Sequence, residues 1–86
     1  MPTDAEVAEA AAEAAESTVF SHYDRSTVDD IDISAQFIDG TLTVDVYVDT
    51  GAVSPDERAT EETVVEEAVS AARAAADRLF DVPSDA

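Results

Sequence analysis

The stretch that decides the fold is residues 31–49, IDISAQFIDGTLTVDVYVD, in which two alternating runs of apolar and polar residues flank an Asp-Gly pair. Asp39 and Gly40 are typical of a two-residue type I′ turn, so the sequence predicts an antiparallel hairpin with strands at about 30–38 and 41–49. In that register four apolar pairs share one face: Phe37 with Leu42, Ala35 with Val44, Ile33 with Val46, and Ile31 with Val48. A slip of one residue would turn this face to solvent, so the pattern indicates a single register.

The segment before the hairpin predicts a helix over about residues 4–20. Thr3 and Glu6 have the spacing of a capping box at its start. Glutamates then recur every three or four residues on one side. The opposite side carries small apolar residues, which are Val7, Ala8, Ala11, Ala12, Ala15 and Val19. Because these side chains are small, the helix can lie close against a neighbouring element. Residues 22–30 are expected to form a connection.

A second helix is predicted over about residues 55–81. Ser54 suits the capping position, Pro55 the first helical position and Glu57 the capping box, although a start near Thr60 is the alternative. The helix is expected to end before Pro83. Its predicted apolar line consists of Val65, Ala68, Val69, Ala72, Ala75, Ala76, Leu79 and Phe80.

The order of helix, strand, strand and helix predicts one α+β domain over residues 1–86. We expect a two-layer αββα sandwich in which an antiparallel hairpin carries both helices on one face. A two-stranded sheet has two edges and is only marginally stable alone. A second copy or a related protein could extend the sheet; the alternative is a monomer whose outward Asp32, Asp45 and Asp49 protect the edges. We favour the dimer.

The charge balance is extreme, with 21 acidic residues, four arginines, no lysine and a formal net charge of -17. An apolar content of 45% with regular spacing nevertheless predicts a folded chain rather than a disordered one. At molar salt the Debye length is about 3 Å, so surface carboxylates barely repel one another, and the composition is typical of an extreme halophile. Without a basic stripe, direct binding to nucleic acid is not expected.

The residues that could carry chemistry are few. The chain has no cysteine, and His22 is its only histidine, so a soft-metal site and a catalytic base with its partners are both unexpected. The aspartates at 29, 30, 32, 45 and 49 do not match the spacing of a calcium-binding loop. Neither a phosphate loop nor a nucleophile elbow is present. We therefore predict no enzyme, no catalytic residue, no cofactor and no metal site.

Nothing in the sequence indicates a membrane protein. The N-terminus is acidic, and no apolar run is long enough to cross a bilayer, so we expect a cytoplasmic protein without a membrane partner.

The outward face of the predicted hairpin gives the candidate interface. Ile38, Thr43 and Tyr47 form a partly apolar surface, and Arg73 lies on the exposed side of the last helix. Our leading interpretation is a small non-catalytic protein-interaction subunit that forms a homodimer or binds another protein. The alternatives are an ordinary exposed face, and an autonomous domain that binds a metal ion or metabolite near His22 and the aspartates.

Residues 19–33, VFSHYDRSTVDDIDI, with the hairpin behind them resemble a family of small haloarchaeal proteins that carry a domain of unknown function. The Asp-Gly hairpin followed by a long C-terminal helix is also similar to the small dimerising subunit of the archaeal KEOPS complex, which makes threonylcarbamoyladenosine in tRNA. That resemblance implies a non-catalytic subunit that pairs with itself or a paralogue and bridges catalytic subunits. The present chain differs in lacking an obvious strand before its first helix and in the acidity of that helix.

Overall fold

The computed structural model describes residues 2–80. Its elements are α1 (Asp4–His22), β1 (Asp30–Ile38), β2 (Thr41–Asp49) and α2 (Pro55–Phe80). The predicted α+β sandwich is confirmed, because the two helices pack on each other and on the antiparallel hairpin. Helix α1 continues to His22 rather than ending near residue 20. The expected last residue of α2, at 81, and its stop before Pro83 lie outside the described residues.

Capping boxes start both helices. The Thr3 Oγ1 accepts a hydrogen bond from the Glu6 N–H at 3.1 Å, and the hydroxyl donates back to the Glu6 carboxylate. Ser54 does the same for α2, accepting from the Glu57 N–H at 3.1 Å and donating to its carboxylate. Each box supplies acceptors for N–H groups that have no partner within the helix. Helix α2 therefore begins at Pro55, and the alternative start near Thr60 is wrong.

The hairpin has the predicted register. Asp39 and Gly40 have φ angles of 52° and 78°, as a type I′ turn requires. Pairing runs without a bulge from Ile38 opposite Thr41 to Asp30 opposite Asp49. Along both strands the apolar residues are turned toward the helices and the polar residues toward solvent, except that Ile38 and Tyr47 also face solvent. The alternation of apolar and polar residues in the sequence thus corresponds to the inner and outer faces of the sheet.

The deepest part of the core is the interface between the two helices. Each helix contributes a row of every fourth residue, Val7, Ala11, Ala15 and Val19 from α1 and Val64, Ala68, Ala72 and Ala76 from α2. The predicted line on α2 omitted Val64, which is only 2% exposed and leads the buried row. Val65 is half-buried and packs against the core, whereas Phe80, the predicted last member of the line, is 47% exposed.

The inner face of the hairpin is covered less completely. Val48 is its only fully buried residue. The remaining apolar residues that pack on the core from this face are half-buried, namely Ile31, Ile33, Ala35, Leu42, Val44 and Val46. The helices therefore close on each other more tightly than they close on the sheet.

Candidate protein-interaction surface

Three of the four predicted interface residues lie on the outer face of the sheet. Ile38 and Tyr47 are 60% and 54% exposed, and Thr43 is exposed between them. Ile38 lies beside the turn, whereas Tyr47 lies near the opposite end of β2. At about 3.3 Å per residue these two apolar side chains are roughly 20 Å apart along the strands. They therefore flank a polar surface and do not form one apolar patch.

Arg73 lies in the helical layer, away from the other three. It lines a groove of about 500 Å³ at the turn end of the molecule, which we call the turn-end groove. The remaining lining residues are Phe37, Gly40, Leu42, Ala76, Asp77 and Phe80. The rings of Phe37 and Phe80 are 5.6 Å apart between centroids and tilted by 38°. This arrangement makes an apolar groove with charged residues at its margin.

A second groove, of about 510 Å³, lies between β2 and the first half of α2. We call it the acidic groove, and it is lined by Val46, Tyr47, Val48, Glu61, Glu62, Val65 and Glu66. Three valines supply an apolar surface and three glutamates supply negative charge, and Tyr47 completes the lining at the strand. Both grooves thus follow the boundary between β2 and α2, one at each end.

The backbone of β2 is open beside these grooves. A type I′ turn is closed by the Thr41 N–H bonding to the Ile38 C=O, and bonded and non-bonded pairs then alternate along the hairpin. The N–H and C=O groups of Leu42, Val44, Val46 and Val48 are consequently directed away from β1. The sheet has only two strands within residues 2–80, so no strand there pairs with this edge. The residues with outward backbone groups are those whose side chains face α2.

Glu61 ties the end of β2 to α2 at one side of the acidic groove. Its Oε2 accepts hydrogen bonds from the Thr50 N–H at 2.9 Å and from the Thr50 hydroxyl at 2.6 Å. Burial of the Tyr23 ring, and secondly the negative charge of Glu61, raise the pKa of Tyr23 above its usual value. This role could not be predicted, because Glu61 is one of several glutamates in an acidic segment.

His22, the centre of the alternative ligand site, is engaged at the surface. Its Nε2 lies 2.5 Å from the Glu67 carboxylate, which joins the end of α1 to α2, and both side chains are half-exposed. Ion pairs this exposed contribute little to stability. Within residues 2–80 no three His, Asp or Glu side chains come together as a metal would require. In the same range neither helix has the length and hydropathy to cross a membrane.

Residues 4–79 match the model of a family described as "Protein of unknown function (DUF3194)". The chain belongs to this family. Among its relatives is an uncharacterised protein of Natronomonas pharaonis, which is 44% identical over 80 residues that cover 93% of this chain and 90% of the relative. The predicted membership of a haloarchaeal family of unknown function is thereby confirmed. No solved structure shows a significant match to the chain. The similarity to the small KEOPS subunit stays a prediction.

Proposed function

We propose that this member of the DUF3194 family is a non-catalytic subunit that binds another protein chain, either a second copy or a different protein, along the edge of β2. The observation that carries the proposal is the open backbone of β2 lying between two grooves that contain apolar side chains. Addition of a strand to an exposed sheet edge is a recurring way in which proteins recognise one another. Here the edge offers hydrogen bonds and the grooves offer places for side chains.

The half-buried inner face of the hairpin supports the proposed edge. A strand laid beside β2 would bond to the backbone of Leu42, Val44, Val46 and Val48, and its alternate side chains would enter the grooves against α2. Apolar side chains that are now half-exposed would then lose contact with water, which is favourable at about 25 cal/mol for each Å² covered. A third strand would also relieve the marginal stability of a two-stranded sheet.

The four predicted interface residues have unequal parts in this proposal. Tyr47 and Arg73 line the two grooves and would contact an added strand directly. Thr43 lies on the outer face of β2, beside the new strand's outward side chains. Ile38 is at the turn and on β1, so it would contact the partner only if that protein also covers the outer face.

The similarity to the small KEOPS subunit suggests a setting for such a protein. In that setting the chain would pair with itself or a paralogue inside a cytoplasmic assembly, with no membrane contact. It would take no catalytic part and bind no nucleic acid directly. The competing idea of a metal site near His22 has no cluster of three His, Asp or Glu side chains within residues 2–80 to support it, and a metabolite site there stays the alternative prediction.

The proposal is tested by the native mass of the protein in molar KCl, measured by light scattering after gentle purification with any companion chains retained. We expect a mass above 9.0 kDa, that of the single chain. Val44→Pro should abolish the association, because proline removes an outward N–H from β2. Ala35→Pro is the matched control, since it removes an outward N–H from β1.

Both variants are checked by circular dichroism, and N-methylation of Val44 in a semisynthetic chain is the milder substitute if Val44→Pro does not fold. A monomer without companions, or an association that survives every change to the β2 edge, would contradict the proposal.

A further inference from the structure

The acidic groove has the chemistry to hold one long basic side chain. Val46, Val48 and Val65 can cover the methylene stem of an arginine or lysine. Glu62 and Glu66 are one helical turn apart on α2 and place two carboxylates on the same side of the groove. A guanidinium there can donate hydrogen bonds to both carboxylates.

A cleft on the other helix already has a basic residue of the chain in its lining. On α1, Glu13, Glu16 and Phe20 line a pocket together with Arg25. The Arg25 guanidinium lies over the Phe20 ring, 4.5 Å from its centroid. That cleft, like the acidic groove, contains glutamates of one helix. By contrast, no basic residue lines the acidic groove within the described part of the chain.

The turn-end groove suits an apolar side chain rather than a basic one. Phe37, Leu42, Ala76 and Phe80 give it a mainly apolar lining. Arg73 and Asp77 have opposite charges and lie four residues apart at its margin, so the groove has no excess of either sign. A large aliphatic or aromatic side chain is the natural occupant.

The register of β2 fixes the distance between these two occupants. Leu42 lines one groove and Val46 the other, and both belong to the inner face of β2. They are four residues apart, or about 13 Å at about 3.3 Å per residue. A paired strand keeps this spacing whether it runs parallel or antiparallel to β2.

A second copy of the chain cannot supply the basic side chain from its sheet. Residues 30–38, DIDISAQFI, and residues 41–49, TLTVDVYVD, contain no lysine or arginine. Pairing of two copies along β2 would therefore place no cation of the sheet beside Glu62 and Glu66. It would also bring together two chains of formal charge -17, a repulsion that is strong at low salt and largely screened at molar salt.

We infer that the β2 edge binds an extended strand of a different protein that carries a lysine or arginine and a large apolar residue four positions apart. The basic residue enters the acidic groove beside Glu62 and Glu66, and the apolar residue enters the turn-end groove between Leu42 and Phe80. This inference rests on the proposed function and specifies the chemistry of the partner.

The test is selection from a synthetic library of ten-residue extended peptides in which two inward positions, four apart, carry all amino acids. The full chain is immobilised at about 0.15 M KCl, where the Debye length is about 8 Å, and again at about 1 M, where it is about 3 Å. Circular dichroism verifies the fold at both concentrations. We expect arginine or lysine to be enriched at one position and leucine, isoleucine or phenylalanine at the other.

The charge-reversed variant Glu62→Arg/Glu66→Arg provides the decisive comparison. Two partly exposed ion pairs correspond to about a tenfold change in affinity, so the variant should prefer acidic peptides by a similar factor, less so at high salt. The control Glu9→Arg/Glu13→Arg, on α1, should leave the selected sequences unchanged.

Failure to enrich any basic peptide, or a preference that ignores charge reversal on α2, would overturn the inference. A dimer of this chain alone that Val44→Pro dissociates would also overturn it, while leaving the proposed function intact. Loss of both the native complex and all peptide selection would remove the proposed function as well.

Discussion

The two interfaces within this protein are built differently. Where α1 meets α2, rows of alanine and valine are withdrawn from water along the length of both helices. Where the hairpin meets α2, larger side chains remain half-exposed and two grooves stay open. Small residues allow close contact between the helices, whereas the larger apolar side chains of the hairpin remain in partial contact with water. The helix pair is therefore the most tightly packed part of residues 2–80, and the hairpin is covered more loosely.

Enlarging an alanine should have the greatest effect at the interface between the helices. Ala72→Leu inserts a larger side chain where no space remains, and we expect a loss of about 2–3 kcal/mol in the free energy of unfolding. Ala35→Leu makes the same change on the half-buried face of the sheet, where the cost should be within about 0.5 kcal/mol. Urea denaturation in molar KCl measures both. Equal losses would show that the two interfaces are packed alike.

Removing the Glu61 carboxylate tests how much its hydrogen bonds to Thr50 stabilise the contact between β2 and α2. Glu61→Ala leaves the Thr50 N–H and hydroxyl without their acceptor, and we expect a loss of about 1–2 kcal/mol in the free energy of unfolding. Glu62→Ala removes the same charge from an exposed neighbour and is the matched control, with an expected change within about 0.5 kcal/mol. If the two variants unfold at the same denaturant concentration, the tie to Thr50 has no energetic importance.

Alanine substitutions at the two glycines can distinguish the cost of backbone strain from the cost of steric crowding. Gly40 and Gly51 have φ angles of 78° and 71°, so Gly→Ala at either position should cost about 1–2 kcal/mol. A Cβ at Gly51 would also lie 3.2 Å from the Asp29 Oδ2, whereas one at Gly40 would meet nothing within 4 Å. We expect Gly51→Ala to cost about 0.5 kcal/mol more, since the Asp29 carboxylate must shift by a few tenths of an ångström away from its present position. In an Asp29→Ala background the excess should vanish, and its persistence would contradict this explanation.

The smallest expected effect is at alkaline pH. Because burial and Glu61 raise the pKa of Tyr23, the folded protein holds this proton more tightly than the unfolded chain does. The resulting stabilisation is complete below the usual tyrosine pKa of about 10 and is lost as the pH rises above it. Tyrosinate absorbance in a Tyr47→Phe background measures the Tyr23 pKa directly. Glu61→Gln should lower that pKa, and an unchanged value would exclude a contribution from Glu61.

The parts of the fold that local chemistry controls could be predicted from the sequence. The Asp39-Gly40 turn and the alternation around it determine the hairpin register, and two capping boxes determine where the helices start. The sequence does not show whether Val64 or Val65 begins the buried row of α2, because the two residues are adjacent and both are apolar. The rotation of α2 against α1 selects Val64, and that rotation is a property of the packed molecule.

The candidate site was predictable only in part for the same reason. Alternation places Ile38, Thr43 and Tyr47 on the outward face, which needs no knowledge of the helices. The two grooves depend on how far α2 stands from β2, which no single element determines. Glu61 is indistinguishable from the other glutamates of α2 until Thr50 is placed beside it.

The Asp39-Gly40 turn divides the chain into two halves of similar design, each with one helix and one nine-residue strand. Every major contact of the fold joins the first half to the second, except the packing of each helix on the strand next to it in sequence. Besides setting the register, the covalent link at the turn thus keeps the halves at high effective concentration. Cut at that point, residues 1–39 and 40–86 become a natural pair of complementing fragments, whose reassembly would report the proximity of any two proteins to which they are fused.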